Sequence, residues 1–288
     1  MWPNSKPMST VEAVFDAVAR TATDVRGVLS SRRSYEAGHN PSGEQQLAAD
    51  VYADEQLEKA LLALEEVGSY TSEERDAAVE DEGTYHVACD PLDGSSNLKS
   101  NNGMGTIVGI FDEHPPAPGD ALVAAGYVLY GPITTMVTAV DGTVTEYLVE
   151  DGTREVLNED VTLPDDPVVY GFGGKTPDWV DDFADYVAYV EQEERLKLRY
   201  GGAMVADVNQ VLTYGGIFGY PMLADRPEGK LRLQFEGHPM AYILQTAGGA
   251  STDGTESLLA KTPTELHERS PVFVGNESLI AALESTLE

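Results

Sequence analysis

Apolar residues recur every three or four positions over the first quarter of the chain. Val11, Val14, Phe15, Val18, Ala22 and Val25 follow the capping-box spacing of Ser9-Thr10-Val11-Glu12, so the pattern predicts a first helix reaching about Leu29. Residues 32–40 read as loop. Leu47, Val51, Leu57, Leu61 and Leu64 form a second stripe broken by acidic residues, and they predict a helix over 44–67 that stops at Gly68.

The period then shortens to two. Strands are predicted over 85–89, 104–111, 122–129, 133–140 and 143–148, with Asp141-Gly142 as a hairpin turn. Beyond Asp151 the two periods alternate. The pattern gives a strand over 168–172, a helix from Pro177, a strand over 196–199, a helix over 205–212 and a strand over 231–235. A helix over 239–246, a strand over 272–274 and a helix over 279–287 complete the series. This order predicts an α/β protein with mixed sheets in two sheet-containing halves, residues 1–151 and 152–288, with a cleft between them as the place for a site.

Composition narrows the chemistry. The 288 residues are 42% hydrophobic, enough for a substantial core, yet 49 Asp and Glu face 18 Lys and Arg for a net charge of −31. The acid is spread along the chain, so it is a property of the surface. Such a field repels nucleic acid and anionic lipid and fits a salty cytosol, where screening relieves self-repulsion. An anionic substrate could approach only where cations are held locally. A single cysteine, Cys89, excludes an internal disulfide, and five histidines without paired ligand spacing give no case for zinc. No apolar run is long enough to cross a membrane and no secretion signal is visible, so a cytoplasmic protein is expected.

The densest candidate chemistry is Asp90-Pro91-Leu92-Asp93-Gly94-Ser95-Ser96, at the end of a predicted strand. Two carboxylates and the Leu92 carbonyl offer hard oxygens suited to Mg²⁺ or Mn²⁺. Gly94 permits a sharp turn, after which the amides and hydroxyls of Gly94, Ser95 and Ser96 can hold a phosphate. Ser72-Glu73-Glu74 alone is a charge run, and Glu236 alone could serve the following helix; Lys230 and Arg232 beside it suggest anion binding. No serine-nucleophile or P-loop motif occurs, which leaves hydrolysis by an activated water.

In this order of motifs the sequence resembles class I fructose-1,6-bisphosphatases. The resemblance runs through Ser72-Glu73-Glu74, residues 90–98, Gly105-Thr106-Ile107, residues 204–208, residues 214–221 and Gly229 to Glu236. It implies a layered αβαβα sugar-phosphatase fold, a homotetramer, and release of the 1-phosphate of fructose 1,6-bisphosphate in gluconeogenesis. Sedoheptulose bisphosphate or inositol monophosphate are alternative substrates, and a catalytically silent sugar-phosphate sensor is the non-enzymatic alternative. By the same resemblance Glu73, Glu74, Asp90, Asp93, Glu236 and the Leu92 carbonyl bind two or three Mg²⁺ ions, while Asp50, Glu74 and Glu44 position or deprotonate the attacking water. Asp93 to Ser96 would hold the reacting phosphate. The backbone near Met204, with Phe218 and Gly219, would meet the sugar. Tyr200, Tyr220 and Lys230 would hold the second phosphate, helped by Arg199 reaching into a neighbouring subunit. One departure stands out: where relatives often have Asn-Glu-Gly after a strand, this chain has Gly171-Phe172-Gly173-Gly174-Lys175, so the resemblance implies an asparagine contact to phosphate that is missing here.

Overall fold

The helical period at the start of the chain is realised in Thr10–Val28, which buries Val14, Phe15, Val18 and Val25. This computed structural model describes residues 10–41, 43 and 45–287; Ser9 of the expected capping box and Glu44 lie outside them. The second helix is shorter than its apolar stripe suggests. It spans Ala48–Leu61, because the Asp50 carboxylate accepts the Leu47 amide at 2.7 Å and starts the helix there. Gln45–Leu47, expected as the start of the helix, is instead a strand, and it pairs with Tyr35–His39 within the segment expected as loop. Gly68 is no helix stop either. It lies in the wholly buried strand Val67–Ser72, whose small and polar residues carry no alternation for a period of two to reveal.

The Asp-Gly hairpin forms as expected, with Asp141 and Gly142 both at positive φ. It joins two members of an eight-stranded sheet ordered Thr153–Asn158, Thr143–Glu150, Thr134–Val140, Leu122–Tyr130, Met104–Phe111, Tyr85–Asp93, Val67–Ser72 and Val79–Glu80. Every neighbour pair is antiparallel except Val67–Ser72 beside Tyr85–Asp93, which run parallel. That one parallel step brings two strand ends, and the residues after them, to the same edge of the sheet.

A second, five-stranded sheet is ordered Lys197–Leu198, Val169–Phe172, Gly216–Tyr220, Val272–Gly275 and Ala250–Thr252. The strand expected over 231–235 ends at Arg232, and Leu233–Gly237 forms a π-helical turn leading into the helix His238–Thr246. Leu231-Arg232-Leu233-Gln234-Phe235 alternates as a strand would, yet all five residues are buried, so the alternation did not mark a strand face.

Five layers result. The helices Thr10–Val28 and Ala48–Leu61 pack on the outer face of the eight-stranded sheet around Phe15, Leu57, Tyr70 and Val108. Met204–Tyr214 and His238–Thr246 fill the space between the sheets, where Ile107 and Tyr127 of one meet Phe218 and Val274 of the other. Asp181–Val190 and Glu277–Leu287 cover the far face of the second sheet through Phe183, Tyr186 and Leu283. The order of layers is αβαβα.

Candidate active site

The parallel strand pair sets the geometry. Because Ser72 stands opposite Cys89, Glu73 emerges beside Asp90, and its amide donates to the Cys89 carbonyl at 3.0 Å. The Asp90 carboxylate turns back to accept the Leu92 amide at 3.0 Å, and Thr106 Oγ1 donates to the Pro91 carbonyl at 2.9 Å, which fixes the strand end. Asp93 accepts the Val205 amide at 2.7 Å in the first turn of the helix Met204–Tyr214, a position that favours a negative charge. Glu236 comes from the π-helical turn and accepts the Arg232 amide at 2.6 Å. Ligand oxygens of Asp90, Asp93 and Glu236 thereby lie within 4.8 Å of one another, and all three residues are buried.

So dense a group of carboxylates resists ionisation. Burial, and next the neighbouring Glu73, push Asp90 and Glu236 well above the usual carboxylate range. Asp93 is raised by burial to about 7, against the opposing pull of the Val205 amide. Glu74 is raised to about 8 by burial and then by Asp50, although Gln46 Nε2 donates to it at 2.5 Å. Arg232 supplies one internal counter-charge, 3.2 Å from Glu73 and itself buried. A single guanidinium cannot balance this many acids. Hard divalent cations fit the oxygen-only donor set that Asp90, Asp93 and Glu236 bring together.

Next to the acids the chain turns at Gly94, whose φ is +70°. A Cβ there would sit 2.2 Å from Ala203 Cβ, so only glycine lets the turn approach the helix start. Ser95–Leu98 then forms a 3₁₀ turn, tied down by Asn97 Nδ2 to the carbonyls of Gly103 at 2.8 Å and Gly201 at 2.9 Å.

A cleft of about 190 Å³ gathers most of the expected residues. Asp50, Glu73, Glu74, Asp90, Leu92, Asp93 and Glu236 line one side of it, with Gly94, Ser95 and Ser96 adjoining. Tyr200, Met204, Phe218, Tyr220 and Lys230 line the other, and Lys230 Nζ stands 5.7 Å from the centre of the Tyr220 ring. Gly219 lies within its strand outside this lining, and Arg199 is exposed beside the edge strand Lys197–Leu198. Glu44 falls outside the described residues.

Two cleft residues escaped the sequence reading, and a third has a partner it did not foresee. Arg232, read as suggesting anion binding, stands 3.2 Å from Glu73. Gln46 holds Glu74, a contact across 28 positions that no local signal announces. Asp207 accepts the amides of Gly201 at 2.6 Å and Gly202 at 3.1 Å, so it shapes the loop between Tyr200 and Met204. An acid in the first turn of a helix preceded by two glycines was the available signal for it.

A dry cluster of acids beside a turn of amides and hydroxyls has one economical use: cations on the acids, an oxyanion on the donors, and water between them. Fold and site together define a metal-assisted phosphatase of the αβαβα type. Comparison with known proteins makes the family specific. Residues 13–156 match the family model "Fructose-1-6-bisphosphatase, N-terminal domain" and residues 163–288 match "Fructose-1-6-bisphosphatase, C-terminal domain". The class 1 fructose-1,6-bisphosphatase of Natronomonas pharaonis is 66% identical over 280 residues, covering 96% of this chain and 98% of that one. A Haloarcula marismortui relative of the same name is 57% identical over 279 residues, covering 97% and 95%. The crystal structure of Leishmania major fructose-1,6-bisphosphatase in holo form superposes with a TM-score of 0.92 at 28% identity, covering 98% of this chain and 95% of that one. The chain belongs to the class 1 fructose-1,6-bisphosphatase family.

Proposed function

We propose that this protein hydrolyses the 1-phosphate of fructose 1,6-bisphosphate to fructose 6-phosphate and inorganic phosphate, as a cytoplasmic enzyme of gluconeogenesis working as a homotetramer. The observation that carries the reading is the convergence of Asp90, Asp93 and Glu236 within 4.8 Å beside the Gly94 turn, in a chain 66% identical to a named relative. Glu73, Glu74, Asp90, Asp93, Glu236 and the Leu92 carbonyl would hold two or three Mg²⁺ or Mn²⁺ ions, which when bound would acidify a water and offset charge on the departing sugar oxygen.

The chain's own groups do the rest. Donors of Gly94, Ser95 and Ser96 orient the phosphoryl oxygens for in-line attack. Asp50 and Glu74, the latter steadied by Gln46, are the candidates to take the proton of the attacking water; Glu44 is a third candidate for this task. As the new P–O bond forms, the bond from phosphorus to the C1 oxygen breaks, and that oxygen takes up a proton to become the hydroxyl of fructose 6-phosphate. Tyr200, Tyr220 and Lys230 hold the 6-phosphate across the cleft, the backbone about Met204 with Phe218 and Gly219 borders the sugar, and Arg199, exposed and outside the lining of its own cleft, reaches a neighbouring copy. Two halves, 1–151 and 152–288, are supported by the two sheets, whose strands Thr153–Asn158 and Val169–Phe172 are separated by the segment between them.

Phosphate release with Mg²⁺ in molar KCl, compared for fructose 1,6-bisphosphate, sedoheptulose 1,7-bisphosphate and inositol 1-phosphate, tests this directly. The fructose bisphosphate should be preferred and Asp93→Asn should lower kcat by at least ~10³-fold, the loss of a hard-oxygen ligand. Preference for another of the three would overturn the substrate, and binding without turnover would make the chain a sensor.

A further inference from the structure

Behind the distal wall of the cleft, Gly173 packs against both tyrosines of that wall. At Gly173 a Cβ would lie 2.2 Å from Cδ2 and 2.5 Å from Cε2 of Tyr220, and 2.9 Å from the Tyr200 hydroxyl oxygen. Both tyrosines therefore converge on the bare α-carbon of one glycine, and their rings use the space that any side chain at 173 would claim. The backbone there has no freedom to move aside. The Gly173 amide donates to the Gly219 carbonyl at 2.8 Å, and the Gly173 carbonyl accepts the Trp179 indole Nε1 at 2.9 Å. On the other side, Tyr220 is anchored in its strand opposite Val272. With both main chains fixed, the Tyr220 ring must yield to a substituent at 173.

We propose that Gly173 is a specificity-determining positioning residue: its missing side chain seats the Tyr220 ring, and through it the Tyr200 hydroxyl and Lys230, as the pocket for the phosphate farthest from the acids. This rests on the function proposed above. Gly173 touches no reacting atom. It acts on how tightly the distal phosphate is held, and a substrate without that phosphate is blind to it. Lys175, two positions on, is exposed and outside the cleft lining, so the wall is built from aromatic hydroxyls and Lys230.

The experiment measures kcat and KM for fructose 1,6-bisphosphate and for fructose 1-phosphate in the full-length chain with Mg²⁺ and molar KCl, for the parent protein, Gly173→Ala and Gly173→Asn. KM for the bisphosphate should rise about tenfold in both variants, with kcat within about twofold and both constants for the monophosphate ester unchanged. Tyr220→Ala and the double variant Gly173→Ala/Tyr220→Ala close a cycle: with the ring gone, the extra methyl keeps only its contact with the Tyr200 hydroxyl, and most of its effect on KM should vanish. If Gly173→Ala fails to fold, refolding of the double variant with the KM of Tyr220→Ala supports the same conclusion. An unchanged bisphosphate KM, an equal rise for both substrates, additive effects, or a double variant that also fails to fold overturns it. A parent protein inert towards the bisphosphate would instead overturn the function itself.

Discussion

Glu74 and Asp93 carry a consequence for stability that their side-chain contacts make calculable in sign. Both are raised by burial, to about 8 and about 7, so the folded chain binds protons that the unfolded chain has already released. Their contribution to stability is complete below the unfolded carboxylate range and is lost as pH rises through 7 and 8. His238 shifts the other way, to about 4 through burial, and its contribution is already fully present above the ordinary histidine range. Between pH 6.5 and 8.5 the acids therefore dominate. In EDTA the melting temperature should fall across that interval, by ~2–4 °C for each kcal/mol lost, and Mg²⁺ should abolish the slope. A flat profile in EDTA would show that Arg232 and bound water neutralise the cluster without metal.

Among these residues, legibility followed contiguity. Asp90 to Ser96 could be read because all the donors sit in seven consecutive positions ending a strand. Glu73 looked like part of a charge run and Glu236 like a partner for the helix after it until resemblance linked them, since the fold, and not the spacing, brings them within reach of Asp90. The Glu73 pair with Arg232 and the Glu74 pair with Gln46 join different elements, so local pattern held no trace of either.

At the scale of elements, the turn after the strand Tyr85–Asp93 is the most constrained piece of the site. Gly94 combines a left-handed backbone with contact against Ala203, so Gly94→Ala faces both strain and collision. Activity should fall at least ~10²-fold from misplaced phosphate donors, with stability lowered by roughly 1–3 kcal/mol. Paired urea unfolding and phosphate-release assays check it; full activity would remove the turn from the mechanism. Elements with strong alternation and Asp-Gly punctuation, such as Thr134–Val140 and Thr143–Glu150, were readable because one hairpin specifies its own register. The strands Val67–Ser72, Gly216–Tyr220 and Ala250–Thr252 were not, being short and paired with distant segments. The π-helical turn at Leu233–Gly237 escaped for a further reason: it is buried all round, so no face distinguishes it.

Over the whole molecule, the net charge of −31 acts on every element at once. The ion pairs do little to offset it: the Arg195 pair with Asp166 is exposed on both sides, while the Arg154 pairs with Glu12 and Asp16 are local to the first helix and the edge strand. Stability should therefore climb steeply with KCl from millimolar to molar concentration and then level off, as the Debye length falls from ~30 Å at 0.01 M to ~3 Å at 1 M. Thermal melts in KCl at constant pH and saturating Mg²⁺ measure it, and salt-independent melting would show that repulsion among surface acids has no part in stability.

The layered order has a last consequence, one of timing. The acids that converge on the cleft come from positions as far apart as Asp50 and Glu236, separated by most of both sheets. During synthesis the eight-stranded sheet can pair long before Glu236 has left the ribosome, so the emerging half carries Glu73, Asp90 and Asp93 with Arg232 not yet made. The cluster is closed only when the turn Leu233–Gly237 docks, which makes competence for chemistry a late event in the life of each chain.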